Sequence, residues 1–330
     1  MTKRELVQKA FRGEDLPYVP LGFWFHYTKD ELVDGLVHPE MIAQNMEGHK
    51  KFYKEYQPDF VKIMSDGFFV YPSEVFCKAK TAKELWQVSS IGNNHEWIEK
   101  QVAFVRELND YFSGEIMTFY NIFSPATFFK FVRLKIVENA ERTLADFITE
   151  DADAVKHAFS VAAGDLATLT KRVINEGGCS GIYFSTQNVS DSRVQSSVFS
   201  DIIAHNDKIV LNAAANGMNI LHICGYEGHK NNFYDFCDYP AQTVNWAAVF
   251  EGLSLQEGRK IFKGKTVLGG FDNTVNGVLY KGSRKEIEAA TEKILQETGT
   301  KGFILGADCT IPRDIDPNHI KWVRDYLQKR

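Results

Sequence analysis

Gly181–Phe184 reads GIYF, Asp201–Asn216 reads DIIAHNDKIVLNAAAN, and Met218–Ile223 reads MNILHI. The outer two are short apolar runs rich in β-branched and aromatic residues, the composition of strands buried on both faces of a parallel sheet. The middle stretch carries a helical pattern. The same alternation recurs in both directions. Toward the N-terminus lie Tyr18–Phe25 (YVPLGFWF), Phe60–Met64 (FVKIM) and Glu115–Phe119 (EIMTF). Toward the C-terminus lie Thr243–Val249 (TVNWAAV), Thr266–Gly269 (TVLG) and Phe303–Leu305 (FIL). Helical patterns over Pro39–Tyr56, Ala152–Glu176, Ser254–Phe262 and Arg284–Thr298 separate the runs, and Asp316–Gln328 closes the series. Eight strand–helix repeats predict an α/β fold, a (β/α)8 TIM barrel. Phe123–Asp151 is longer than a connection needs and predicts an extra helix. A doubly wound open sheet would also alternate, but with a Gly-rich turn after its first strand. Here FHYTKDE follows that strand, and IFKGKT at 261–266 precedes a strand instead of following one.

The chain has 330 residues, 44% hydrophobic and 25% charged, enough for a large buried core. No Pro- or Ser-rich linker interrupts it, so residues 1–330 read as a single domain. A net charge of -5 argues against nucleic-acid partners, which select basic surfaces. No apolar run approaches the ~20 residues of a membrane span. The opening MTKRELVQKAFRGEDLP reads as an amphipathic helix, without the apolar stretch of a signal peptide. Five scattered cysteines do not suggest a disulfide framework, and the expected compartment is the cytoplasm.

In a barrel of this kind the chemistry sits at the C-terminal strand ends. Those ends supply Trp24 and His26, Ser65 and Asp66, Tyr120 and Asn121, then Ser185, Gln187 and Asn188. The later strands supply His222 and Cys224, Trp246, Asp272 and Asn273, and finally Asp308 and Cys309. His222 and Cys224 stand two apart on one strand, so their side chains point the same way. If that face is the mouth, Cys309 closes in from the eighth strand, and one nitrogen with two sulfurs suits Zn²⁺ with a fourth position open. H-x-C alone is a weak motif, since a buried Cys is more often a small core filler, the role read for Cys77, Cys179 and Cys237. Glu227 and His229 follow in a loop (GYEGHK), where they could supply a ligand or a proton but read first as solvated residues. Asp66 ends an apolar strand, where a carboxylate faces a partly desolvated pocket or caps a loop. Trp24, Phe25, Tyr27, Phe68, Phe69 and Tyr71 cluster near the first two strand ends and could wall a pocket for a flat ligand.

With these residues placed, the chain resembles the uroporphyrinogen decarboxylase superfamily over nearly its whole length. The resemblance rests on Arg4 leading to FRGE at 11–14, MSD at 64–66, TFYNIFSPATFF at 118–129 and HICG at 222–225. VNW at 244–246, LGGFDNT at 268–274 and GADCTIPRDIDPNHI at 306–320 complete it. One branch of that superfamily decarboxylates a tetrapyrrole without metal, using an arginine-rich segment after strand one and G-H-G after strand eight. The other uses zinc on H-x-C and a later cysteine to move a methyl group from a corrinoid to a thiol. This sequence has GFWFHYTKDE after strand one, with no arginine to grip carboxylates, and Asp308-Cys309-Thr310 where the decarboxylases carry G-H-G. It is most similar to the zinc methyltransferase branch. The resemblance then implies a metal site of His222, Cys224 and Cys309, and Asp66 and His26 as catalytic residues. Trp24, Tyr120, Asn121, Ser185, Gln187, Trp246 and Asp272 are the expected substrate contacts. It also implies a methylcorrinoid donor, a small-molecule thiol acceptor, a corrinoid carrier protein as a potential partner, and a family tendency to form homodimers. The alternatives are uroporphyrinogen decarboxylation and a non-catalytic corrinoid or tetrapyrrole binder.

Overall fold

The computed structural model describes residues 1–136, 142–187, 191–225 and 230–329. Seven strands form one curled sheet: β1 (Phe60–Ile63), β2 (Met117–Phe123), β3 (Gly181–Gln187), β4 (Ile220–Cys224), β5 (Thr243–Trp246), β6 (Thr266–Phe271) and β7 (Phe303–Ala307). Each pairs in parallel with the next in sequence order. Helices follow the strands and cover the outer face, so both sheet faces are buried, as the apolar runs require.

Side-chain alternation divides the core in two. Phe60, Met64, Met117, Phe119, Tyr183, Ile220, Leu268 and Ile304 face inward and pack on one another. Their neighbours Val61, Ile63, Tyr120, Ile122, Ile182, Phe184, Leu221, Ile223, Val267, Phe303 and Leu305 face the helices. The opening helix, Lys3–Phe11, starts at a Thr2–Glu5 capping box. It pushes Val7, Ala10 and Phe11 into the inner cluster, with Phe11 stacked 5.4 Å from Phe119. It covers the N-terminal ends of the strands, leaving the C-terminal ends as the mouth.

The first apolar run departs from its expected role as a full strand. Tyr18–Phe25 lies between the two edge strands but makes only a β-bridge, Leu21 with Leu305. Gly22 N donates to Leu305 O at 2.9 Å and Leu305 N to Pro20 O at 2.9 Å, while Asp59 N donates to Leu21 O at 3.3 Å on the other side. Pro20 has no N–H to extend a ladder, which is why the pairing stops at a bridge. The segment keeps the alternation: Trp24 is inward, Phe23 and Phe25 outward. The stretch expected to hold one extra helix holds two, Pro125–Ile136 and Leu144–Glu150.

Candidate metal centre

His222 and Cys224 point inward from β4, and Cys309 follows β7. Their ligand atoms lie within 4.8 Å of one another. Cys224 Sγ is 3.7 Å from Cys309 Sγ, which is 3.4 Å from His222 Nε2. Asn245, inward on β5, decides the tautomer of the histidine. Its Nδ2 donates to the carbonyls of Leu268 (2.9 Å) and Ala307 (3.1 Å), so its Oδ1 must accept. That oxygen takes the Tyr183 hydroxyl proton at 2.7 Å and faces His222 Nδ1 at 2.5 Å. His222 is therefore protonated on Nδ1 and presents the Nε2 lone pair toward the sulfurs, the arrangement metal-ligating histidines use. The two thiols share a proton unequally. Cys309 is held well below the ordinary thiol range chiefly by its hydrogen bond with Cys224, against burial. Cys224 is raised, as the donor of that bond and by burial. Two sulfurs and one nitrogen, already converged, match a zinc ligand set with one position open.

Asp66 sits at the end of β1, fully buried. Helix Pro39–Tyr56 fixes the backbone there. Asn45 Nδ2 donates to the carbonyls of Met64 (2.8 Å) and Asp66 (3.1 Å), and Met64 N donates to His49 Nε2 at 2.9 Å. One Asp66 oxygen meets His26 Nδ1 at 2.8 Å; the other accepts from Tyr27 N at 3.0 Å and Thr28 Oγ1 at 3.5 Å. Burial pulls the His26 imidazole down, but the Asp66 carboxylate more than offsets it, and His26 titrates above its ordinary value. Burial pushes the Asp66 carboxyl up, and the His26 charge and hydrogen bonds hold it below its usual range.

Two adjoining cavities, of about 260 and 510 Å³, open at the mouth. Both touch His26, Gln187, Cys224 and Cys309; the inner one also touches Lys62, Asn121, Ser185 and His222. Of the expected site residues, the fold therefore gathers His26, Asn121, Ser185, Gln187, His222, Cys224 and Cys309 around one space, with Asp66 behind His26. It turns four away. Asn121 faces inward, so Tyr120 faces the helices and donates to Gln101 Oε1 at 2.7 Å. Asn245 likewise turns Trp246 outward, its Nε1 donating to Leu253 O at 2.9 Å. Trp24 is inward but lies in the packed inner cluster, edge-to-face with Tyr183. Asp272 caps its own turn, accepting from Thr274 N at 2.8 Å. Asp308 turns away to accept from Val249 N at 2.6 Å. Of the aromatic cluster Phe69 lines the inner of these two cavities and the others line neither; Phe25 and Tyr27 pack on Phe52. Asn188, Glu227 and His229 lie outside the described residues.

One cation at the site was not legible from strand-end position. Lys62, inward on β1, is 5% exposed, its Nζ 4.0 Å from the Tyr183 ring centroid and 5.1 Å from that of Trp24. Burial lowers its amine to about 8, against the opposing pull of Cys309, Cys224 and Asp66. Burying an ammonium costs several kcal/mol, and each ring face returns about 0.5–2 kcal/mol, so the rings alone do not offset the burial. Lys29 and Arg313 line the outer cavity, with Arg313 donating to Thr28 O at 2.7 Å. The mouth is less poor in cations than the segment after the first run suggested.

The uroporphyrinogen decarboxylase (URO-D) family model matches residues 60–330. A methyltransferase from Methanosarcina mazei is similar in structure, with a TM-score of 0.69 at 13% identity over 100% of this chain and 99% of that one. A B12-independent methionine synthase from Shewanella sp. W3-18-1 has a TM-score of 0.55 at 13% identity, covering 95% and 97%. A beta-mannanase from the mussel Mytilus edulis reaches 0.53 at 11%, covering 94% and 92%. At such identities the likeness establishes the fold and leaves the reaction open. No curated protein matches the sequence. The matched region begins at the first residue of β1 and contains all seven strands and the three converging ligands: the chain belongs to the uroporphyrinogen decarboxylase family.

Proposed function

We propose that this chain is a zinc-dependent methyltransferase that moves a methyl group from a corrinoid to a small-molecule thiol. It would work as a single (β/α)8 barrel whose eighth position is filled by Tyr18–Phe25. The observation that carries this reading is the convergence of His222 Nε2, Cys224 Sγ and Cys309 Sγ within 4.8 Å at the wall of a cavity. Zinc held there supplies Lewis acidity that keeps an acceptor thiol as thiolate at neutral pH. His26 lines the same cavity and its neutral form takes the thiol proton, while Asp66 stabilises the resulting imidazolium. Transfer should therefore rise with pH through the His26 titration, above the ordinary histidine value of 6.5. The acceptor sulfur then forms its bond to the methyl carbon, and the electron pair of the broken bond leaves with the corrinoid. Exposed Val249 and Phe250 after β5 and Val275 after β6 rim the mouth, where a macrocycle or its carrier protein would dock. Among the described residues no helix is long and apolar enough to cross a membrane, and all five cysteines are free, which supports a cytoplasmic setting.

The test is the zinc-loaded protein mixed with methylcobalamin and 2-mercaptoethanol. Loss of the methylcobalamin spectrum with formation of the methyl thioether is expected from the native chain and not from Cys309→Ala. Uroporphyrinogen should give no carbon dioxide. Decarboxylation of that substrate, or equal thioether formation by Cys309→Ala, would overturn the reading.

A further inference from the structure

Both sulfur ligands sit where the sheet stops holding the chain. β4 pairs with β5 as far as Ile223 with Trp246, and Cys224 lies one residue beyond. β7 ends at Ala307; Asp308 N still donates to Phe271 O at 2.9 Å, and Cys309 follows in a bend. One element reaches both places, the helix Ala248–Glu251 that follows β5. At its start, Val249 N donates to Asp308 Oδ2 at 2.6 Å, which fixes the residue before Cys309. At its end, Glu251 accepts from Asn231 Nδ2 at 2.6 Å and from Asn231 N at 3.1 Å. The same Asn231 Nδ2 donates to Cys224 O at 3.1 Å. A Cβ at Gly225 would lie 2.4 Å from Glu251 Oε1, so the carboxylate packs on the backbone directly after Cys224. Asp308, Glu251 and Asn231 are all buried. Bonds from N–H groups to carboxylates are short and strong, and here little water competes for them.

We propose that Asp308 and Glu251 are positioning residues: through one short helix they hold the two sulfurs at the separation at which both can ligate a single ion. This rests on reading Cys224 and Cys309 as metal ligands. Neither carboxylate belongs to the converging group of His222, Cys224 and Cys309, so each acts through its neighbour. The sulfurs stand 3.7 Å apart, close to the ~3.8 Å that two Zn–S bonds of ~2.3 Å subtend at the tetrahedral angle. That spacing comes from two side chains on different strand ends, and the ties to one helix are what relate them. A helix with a purely structural role would lower stability when either tie is cut and leave the sulfur spacing as it is.

The test reads the sulfur pair with and without metal. Phenylarsine oxide condenses with two thiols on one arsenic atom, releasing water, and so reports their spacing in the metal-free chain. Cobalt(II) reports the thiolates it holds through its sulfur-to-metal charge-transfer band. Asp308→Ala and Glu251→Ala should each lower cobalt affinity about 10–100-fold, weaken that band per bound ion and slow the arsenical reaction. Asp308→Asn and Glu251→Gln keep an acceptor in place and should restore all three. Glu251→Asp keeps the charge but withdraws it by one methylene; it should behave as the alanine variant even if that variant does not fold. Urea midpoints measured alongside separate folding from spacing. Variants that lose stability but keep the native band and arsenical rate would overturn the proposal, as would Asn and Gln variants no better than Ala. A native chain that binds no cobalt would overturn the metal reading alone, and the arsenical rates would still decide whether the two carboxylates space the sulfurs.

Discussion

Asn245 links the candidate metal centre to the sheet around it. One carboxamide ties β5 to the carbonyls of Leu268 and Ala307 and fixes His222 in the ligating tautomer. Asn245→Ala should lower zinc affinity about 10–100-fold, the usual effect of removing a group that orients a ligand, measured by competition with a chelator. Its stability should fall by about 1–3 kcal/mol in urea, because two buried carbonyls lose a donor. Asp66→Asn tests the second pair. Without the carboxylate, burial and the Lys62 charge oppose only the weaker pull of Glu31, so the His26 imidazole should titrate below 6.5, read by NMR. The sign follows for stability. His26, raised on folding, contributes fully below 6.5 and loses its share as pH rises through its folded value; Asp66, lowered on folding, contributes above 3.8 and loses its share as pH falls. The gap between native and Asp66→Asn urea midpoints should therefore be widest between those values and narrow in alkali. A constant gap would contradict the pair. At this scale the sequence was partly legible. H-x-C needs only the period of a strand to place two ligands together. Lys62 and Asn245 sit inside apolar runs, FVKIM and TVNWAAV, and their partners are reached only through space.

The seam beside β7 is where the elements depart from the simple repeat. A Cβ at Gly306 would lie 2.6 Å from Gly22 O, and one at Gly22 would lie 2.1 Å from the Phe60 ring. Neither position has room for a methyl group, since the bridging segment packs directly on both edges. Gly306→Ala should destabilise by about 1–3 kcal/mol, as overpacking does, and lower the melting temperature. The amides of Gly22 and Leu305, which close the bridge, should exchange faster than those of β4. Exchange at Gly22 and Leu305 no faster than in β4 would show that the seam is not the weaker pairing. The run itself was visible as apolar residues, yet its proline, Pro20, which limits it to a bridge, weighs on hydrogen bonding and not on hydrophobic pattern. The same limit explains Tyr120 and Trp246. Position at a strand end marked them as candidates, but parity decides which of two neighbours faces the mouth, and each lost that place to an adjacent asparagine.

Across the whole molecule the order of the elements was the most legible feature, because strands buried on both faces leave unbroken apolar runs. The division of the interior was not legible: an opening helix and inward aromatics fill one end, while polar and charged groups gather at the other. Everything functional in the account depends on that polar end holding a metal. The direct measurement is zinc content of the protein purified without chelator, compared across cysteine variants. About one zinc per native chain is expected, the same in Cys179→Ala and Cys237→Ala, and most of it lost in Cys309→Ala with the circular dichroism spectrum unchanged. No zinc in the native chain, or full zinc in Cys309→Ala, would contradict it.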